Sequence, residues 1–209
     1  MKFLCLFVML FMSVITYGQQ DKFIFSSSYG IAYIDFSGKI YALPPEAENN
    51  IVSEINPVGT AMGFEVDYNV KNNNYLGIGF TRQHHSKKVS NTFTFGDNSF
   101  VLDNYRFNLN KTLIDVRYKK VYNYFTWGAG LFYFWESFSA PSVLTNDNLG
   151  TDIVLDSNYN NADQFGLYAS IGYYYPLKEY VDIGIQSKVY YSFSGLETIT
   201  LAPFIAFKF

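Results

Sequence analysis

Apolar and polar residues alternate with a period of two along most of this chain. The clearest stretch runs from Val181 to Phe193, where the even-numbered positions are polar or glycine except for Tyr190. The odd-numbered positions of the same stretch are apolar or aromatic except for Ser187. A period of two predicts a β-strand with one apolar face, because an α-helix would repeat every 3.6 residues.

Eight stretches show this alternation and predict eight β-strands. The stretches are about 9 to 13 residues long, which is the length a tilted strand needs to cross a bilayer. Strands of soluble proteins are shorter, about 5 or 6 residues on average. The stretches begin near residues 23, 62, 76, 111, 125, 165, 181 and 198.

Long and short connections alternate between these stretches. The connections 37–57, 87–108 and 137–162 are long and rich in Asn, Asp, Ser and Pro. Those at 71–74, 121–124 and 176–180 are short, and 195–197 is brief where a long connection is due. Transmembrane barrels combine long extracellular loops with short periplasmic turns, so both mature termini are expected in the periplasm.

The first 18 residues have the pattern of a secretory signal peptide. Lys2 precedes an apolar run at 3–12, and Thr16 and Gly18 stand at the −3 and −1 positions of a cleavage site. The run is too short to span a bilayer, which takes about 20 residues. We therefore expect a cleaved signal peptide at 1–18 and one mature domain at 19–209. Cleavage would also remove Cys5, the sole cysteine of the chain.

Either face of such strands could point outward. In a soluble barrel of the lipocalin type, the apolar face lines a cavity and the polar face meets water. Here the polar face is dominated by Gly, Ser, Thr and Ala, which fit a narrow interior. Aromatic residues cluster at the strand ends, as expected at the two membrane interfaces. This pattern favours an apolar face directed at lipid.

The composition agrees with an exported membrane barrel. Charged residues make up 16% of the chain and aromatic residues 20%, whereas soluble domains average about 25% charged residues. The net charge of −3 argues against a nucleic-acid partner, which would require a basic surface.

These features together resemble the small eight-stranded outer-membrane β-barrel families, the OmpX/OmpA-barrel and PorT-like group. The resemblance spans 19–209 and implies an all-β fold, an eight-stranded antiparallel up-and-down transmembrane barrel in the bacterial outer membrane. It implies contact with outer-membrane lipid and lipopolysaccharide. It also implies that the barrel-assembly machinery reads a C-terminal signal at Ile205, Phe207 and Phe209. Pro203 departs from a regular strand and predicts a bulge.

Ten charged residues fall on the face that is expected to point into the lumen. A charge in a narrow lumen must be paired, because an isolated charge costs several kcal/mol. We therefore expect a salt-bridged plug, and a narrow ion path is the alternative reading. The lumen charge network consists of Glu65, Asp67, Lys111, Asp115, Arg117, Lys119, Glu136, Asp182, Lys188 and Lys208.

Few residues suggest chemistry. His84 and His85 could act as bases in a lipid-modifying enzyme, but no third member of a triad is recognisable, and exposed loop histidines are the simpler reading. The acidic residues of 146–163 do not have EF-hand spacing. We therefore expect no catalytic residues, no metal site and no cofactor.

The expected function is structural or carried by the extracellular loops: adhesion, surface interaction or envelope integrity, with an unidentified extracellular or envelope protein as partner. The alternatives are a PorT-like partner in protein secretion or envelope assembly, a lipid-modifying enzyme and a narrow solute channel.

Overall fold

The computed structural model of the chain describes residues 22–34, 56–95, 98–146 and 150–209. The expected signal peptide, Cys5 and most of the connection 37–57 lie outside the described residues. Within these ranges, no helix is long and apolar enough to cross a membrane.

Eight antiparallel strands form one closed barrel in the order of the sequence. Each strand pairs with the next, and β8 pairs with β1 to close the circle. The predicted fold class is therefore confirmed. The strands are β1 (Phe23–Tyr33), β2 (Val58–Lys71), β3 (Asn74–Phe95), β4 (Asn98–Tyr122), β5 (Phe125–Asn146), β6 (Gly150–Lys178), β7 (Val181–Ser192) and β8 (Gly195–Lys208).

The closing seam between β1 and β8 has a single register along its length. The amide of Phe23 donates to the carbonyl of Phe209 at 3.0 Å, and the amide of Phe209 donates back at 2.9 Å. The offset that pairs Ser28 with Phe204 is unchanged beyond Pro203. The expectation of a bulge at Pro203 is therefore wrong. The missing N–H of this proline removes a hydrogen bond without inserting a residue, so the register survives.

The four middle strands are much longer than expected. β3 to β6 contain 22, 25, 22 and 29 residues. The regions 87–108 and 137–162 are therefore largely paired hairpins, and the expectation that they are loops is wrong. Hairpin hydrogen bonds join backbone groups, so a segment rich in Asn and Ser can pair even though its composition resembles that of a loop.

The turn between β2 and β3 shows how the chain reverses at the opposite end. Asn72 and Asn73 both have positive φ, at 53° and 62°. Two residues in the left-handed region define the tight turn that matches the twist of a β-hairpin, and asparagine tolerates this conformation well.

The two faces of the barrel wall differ in polarity. Ile78, Val116 and Leu131 point outward and are 59%, 61% and 64% exposed. On neighbouring inward positions, Leu113 and Asp115 are fully buried. The outward apolar residues surround the barrel as a continuous surface, which we call the apolar belt. On β3 the belt extends from Leu76 to Phe80.

This assignment of faces predicts different effects for two substitutions on β7. Ile185→Arg should weaken insertion into lipid vesicles, because arginine near the bilayer midplane costs about 2–4 kcal/mol on the lipid face of a barrel. Lys188→Ala, on the inward face, should leave insertion intact. The folded, inserted fraction of each variant is measured by the heat-dependent gel shift of folded barrels. Equal inserted fractions for the two variants would contradict the assignment of faces.

Candidate functional site

The guanidinium of Arg117 lies at the centre of a buried ion cluster. Its Nη2 is 2.8 Å from Oε2 of Glu65 and 2.9 Å from Oδ1 of Asp67. Its Nη1 is 2.6 Å from Oδ1 of Asp115. All four side chains are at most 3% exposed. Three carboxylates thus share one arginine.

Two lysines complete the charge balance of this cluster. Nζ of Lys188 lies 2.5 Å from Glu65, and Nζ of Lys119 lies 2.8 Å from Asp67. Three cations therefore face three carboxylates. We call these six residues the Arg117 cluster, and its formal charge is zero.

Glycines on β3 make the Arg117 cluster possible. The β3 neighbours of Glu65 and Asp67 are Gly79 and Gly77, and Gly77 pairs on its other side with Arg117. Because these glycines carry no side chain, residues of β4 reach across β3 to the carboxylates of β2. A Cβ at Gly79 would lie 2.5 Å from Nη1 of Arg117, so a larger residue would displace the guanidinium.

An aromatic layer lies against the Arg117 cluster. The rings of Tyr168 and Tyr190 are 5.2 Å apart, and those of Phe132 and Tyr190 are 5.1 Å apart. Leu113 and Phe134 pack in the same buried group. The Tyr190 hydroxyl is 3.2 Å from Oγ1 of Thr81. The layer fills the lumen with side chains and separates two groups of charges.

The second group of charges surrounds Lys111. Its Nζ is 3.2 Å from Glu136 and 2.7 Å from Glu197, and it lies 4.4 Å from the centroid of the Phe134 ring. The hydroxyl of Ser192 donates to Oε1 of Glu197 at 2.5 Å.

Glu197 is a lumen residue that the alternation does not reveal. The sequence places it in a turn, but β8 already begins at Gly195. The pairing of β7 with β8 shifts register between Tyr190 and Tyr191, and both Glu197 and Thr198 are buried. Two consecutive inward residues break the period of two that sequence reasoning relies on.

The third group of charges is a single ion pair at the end of the barrel that carries the short turns. Lys208 Nζ is 2.8 Å from Oδ1 of Asp182; the lysine side chain is partly accessible and the aspartate is buried. They line a cavity of about 380 Å³ together with Lys119 and Tyr174. The ten charged residues expected in the lumen thus form three separate groups.

The two adjacent histidines have opposite orientations. His84 is exposed, with its Nδ1 2.9 Å from Oδ1 of Asn110. His85 is fully buried, with its Nδ1 3.3 Å from the carbonyl of Asn56. The expectation of two exposed loop histidines is therefore wrong for His85, because β3 continues past the apolar belt and its inward positions remain covered.

Burial perturbs the acid–base behaviour of His85. Desolvation by burial lowers the pKa of His85 from 6.5 to about 4, so the ring is neutral at pH 7. Among the residues whose side chains are described, neither histidine contacts a serine hydroxyl or a carboxylate, and no group of three potential metal ligands occurs.

The last two outward positions of β8, and Phe209 directly after the strand, are at the surface. Ile205 is exposed, and Phe207 and Phe209 are half-buried. The backbone of Phe209 pairs with Phe23, so these residues also form the closing seam.

Removal of the central guanidinium tests the Arg117 cluster. Arg117→Met should lower the free energy of unfolding by about 3–5 kcal/mol, because it leaves a buried carboxylate without a partner. Arg82→Met is the matched control: Arg82 is exposed on the outer face, and this change should cost less than about 1 kcal/mol. Urea unfolding in phospholipid vesicles measures the free energy of unfolding of both variants. Equal losses would contradict the buried cluster.

Stability should also depend on pH through His85. Below pH 6.5 the unfolded chain takes up a proton on this ring, whereas the folded barrel does not until about pH 4. Wild type should therefore lose stability relative to His85→Gln as the pH falls through this window, and the difference between them should be constant above pH 7. A constant difference from pH 4 to pH 8 in urea unfolding would rule out a buried neutral ring.

No family model and no curated protein matches the chain. Solved structures do resemble it. The Yersinia pestis attachment invasion locus protein Ail, in complex with the heparin analogue sucrose octasulfate, aligns with a TM-score of 0.54 at 11% identity, covering 91% of this chain and 100% of Ail. Neisserial surface protein A aligns with a TM-score of 0.52 at 14% identity, covering 92% of this chain and 100% of that protein. The chain therefore has the fold of the small eight-stranded outer-membrane β-barrels.

Proposed function

We propose that this chain is an integral outer-membrane protein that binds a protein partner through two hairpins projecting from the cell surface. The hairpins are the outer parts of β3–β4 and β5–β6. The observation that carries the proposal is the length of these four strands, which continue far beyond the apolar belt. In the proposed protein, residues 1–18 are cleaved, both mature termini are periplasmic, and Ile205, Phe207 and Phe209 direct assembly.

The outward surface supports a membrane location. Soluble monomers rarely expose contiguous apolar patches larger than a few hundred Å², whereas here apolar outward residues occur on all eight strands. Tyr133, Trp135 and Phe165 lie at the end near the hairpins, and Tyr118, Trp127 and Tyr173 lie near the short turns. Ring pairs at both ends, such as Tyr133–Phe165 and Tyr118–Trp127, match two interfacial aromatic belts.

The filled lumen supports a structural role for the barrel itself. The Arg117 cluster, the aromatic layer and the Lys111 group occupy the interior with side chains whose charges largely pair with one another. An eight-stranded barrel leaves room for little more than its own side chains. A narrow channel would need a water path through this packing, so the packing favours an anchor over a channel.

The projecting hairpins offer unpaired strand edges. Among the described residues, the pairing of β3 with β2 ends at His84, and that of β4 with β5 ends at Asn108. The pairing of β6 with β7 ends at Gly166. Beyond these residues each hairpin is a two-stranded ribbon, and no other strand of the described part of the chain lies beside its outer backbone groups. Such edges bind an added strand through main-chain hydrogen bonds.

A partner in secretion or envelope assembly would use the same edges. One experiment therefore tests both surface binding and a role in secretion or assembly.

Photo-crosslinking residues at positions 92 and 155 should capture a partner in intact cells. Once it is purified, its binding should be measured to wild type, to a variant with 89–105 replaced by Asn-Gly, and to one with 140–157 replaced in the same way. Lys88 pairs with Arg106 and Ser139 with Asn158, so both deletions preserve the barrel register.

We expect at least one shortened variant to insert normally and to lose binding by tenfold or more, which corresponds to about 1.4 kcal/mol. A heat-dependent gel shift equal to that of wild type establishes that the barrel is intact. Undiminished binding by both shortened variants would refute the proposal.

A further inference from the structure

The barrel contains a cavity at the end that carries the short turns, which we call the turn-end cavity. Its volume of about 380 Å³ lies within the range of small-molecule sites, about 300–1,000 Å³. The cavity exists because inward positions on neighbouring strands carry small side chains here. Gly172 lies between Thr126 on β5 and Gln186 on β7. On β8 the small residue is Ala206.

One side of the turn-end cavity is apolar. Ile24, Tyr75 and Ala206 form a buried cluster there, and Val121 and Phe204 pack against it. All five residues line the cavity. Aliphatic and aromatic surface of this kind favours a ligand that carries C–H groups on at least one face.

The charges of the turn-end cavity are paired within the protein. Nζ of Lys208 lies 2.8 Å from Asp182, and Nζ of Lys119 lies 2.8 Å from Asp67. These four charges sum to zero. A charged ligand would be attracted by one member of each pair and repelled by the other. The pairs therefore favour a neutral ligand whose groups both donate and accept hydrogen bonds.

Two buried polar atoms beside the turn-end cavity have no hydrogen-bond partner among the described residues. One is Oγ of Ser26, which pairs across the seam with Ala206. The other is Nε2 of Gln186, which pairs with Gly172. Buried polar atoms are nearly always bonded to protein, water or a ligand. A hydroxyl group suits both atoms, because it donates one hydrogen bond and accepts two.

The mouth of the turn-end cavity is held in place by backbone hydrogen bonds from the short turns. The amide of Val121 donates to the carbonyl of Asn73 at 3.0 Å, and the amide of Lys208 donates to the carbonyl of Tyr180 at 3.0 Å. The side chain of Lys208 is 22% exposed, so solvent reaches the cavity. Because the mouth is already ordered, a ligand would lose little affinity to the ordering of these turns.

We propose that the turn-end cavity binds a small neutral sugar, a mono- or disaccharide. The rings of Tyr174 and Phe204 offer aromatic surface for the C–H face of the sugar. The pair of Lys208 with Asp182 places a donor beside an acceptor, as neighbouring hydroxyl groups require. The binding site follows from the cavity alone. Its access to periplasmic sugars, either free or in cell-wall glycan, rests on the proposed orientation in the membrane.

Ligand-observed NMR tests this inference on the full barrel, folded in a detergent without a sugar headgroup. Saturation transfer from protein to ligand protons reports binding, and a titration gives the dissociation constant. The probes are glucose, which represents a free sugar, and diacetylchitobiose, which represents the N-acetylated cell-wall glycan. Alanine, a zwitterion, and succinate, an anion, are the charged competitors.

Two variants alter the cavity, and a third is the matched control. Asp182→Leu with Lys208→Met replaces the ion pair by apolar residues of similar size, a change that folded proteins often tolerate. Ala206→Leu fills the space and keeps the test decisive where the first variant does not fold. Glu179→Leu with Lys178→Met removes the same two charges at the same end, from exposed residues that do not line the cavity. A heat-dependent gel shift checks folding.

Wild type and the control should bind at least one of the two sugars, and the folded cavity variants should bind it tenfold more weakly or worse. The preferred sugar identifies the source, free sugar or cell-wall glycan. The inference is overturned if wild type binds neither sugar, or if a folded cavity variant binds as tightly as wild type. Displacement of the sugar by equimolar alanine or succinate would also overturn it.

Failure of this inference is separable from failure of the proposed function, because the turn-end cavity and the hairpins lie at opposite ends of the barrel. A protein whose hairpins bind their partner but whose cavity binds no sugar contradicts only the cavity. A protein that binds the sugar as expected, and whose shortened hairpins bind the partner undiminished, contradicts only the proposed function.

Discussion

The pairing of charges inside the barrel is the constraint on which the rest of the structure depends. A lumen surrounded by hydrocarbon offers little water, so each charge that faces it needs a partner of opposite sign. The guanidinium of Arg117 meets this need for three carboxylates at once. Gly77 and Gly79 are required because a side chain at either position would lie between the charged side chains of β4 and the carboxylates of β2. The interior of the barrel is thus fixed by electrostatics, and its exterior by lipid.

A filled interior assigns the two parts of the molecule different roles. The aromatic layer around Tyr190 and the ion groups on either side of it stabilise a rigid wall and leave little room for transport. In the proposed function, recognition is left to the surfaces outside the belt, namely the edges of the two hairpins. The backbone of the hairpins offers the edges that the proposed protein partner would pair with.

The alternation of residues is sufficient to predict the number of strands and the closed antiparallel barrel. It failed where the period of two is interrupted or where composition is ambiguous. The alternation does not reveal Glu197, because the register shift beside Tyr191 places two consecutive residues, Glu197 and Thr198, inside. Composition predicts loops where the hairpins lie, because backbone pairing leaves little trace in a polar sequence. It also predicts an exposed His85, because the sequence does not show that β3 continues to Phe95.

The central claim is that apolar residues of the wall face lipid and that paired charges face the lumen. Leucine methyl groups in a barrel reconstituted into bilayer nanodiscs test it most directly. Leu131 and Leu167 are exposed on the outer face, and Leu113 is buried inside. Nuclear Overhauser contacts with lipid acyl chains are predicted for Leu131 and Leu167 and not for Leu113. Acyl-chain contacts from Leu113, together with water contacts from Leu131, would contradict the account.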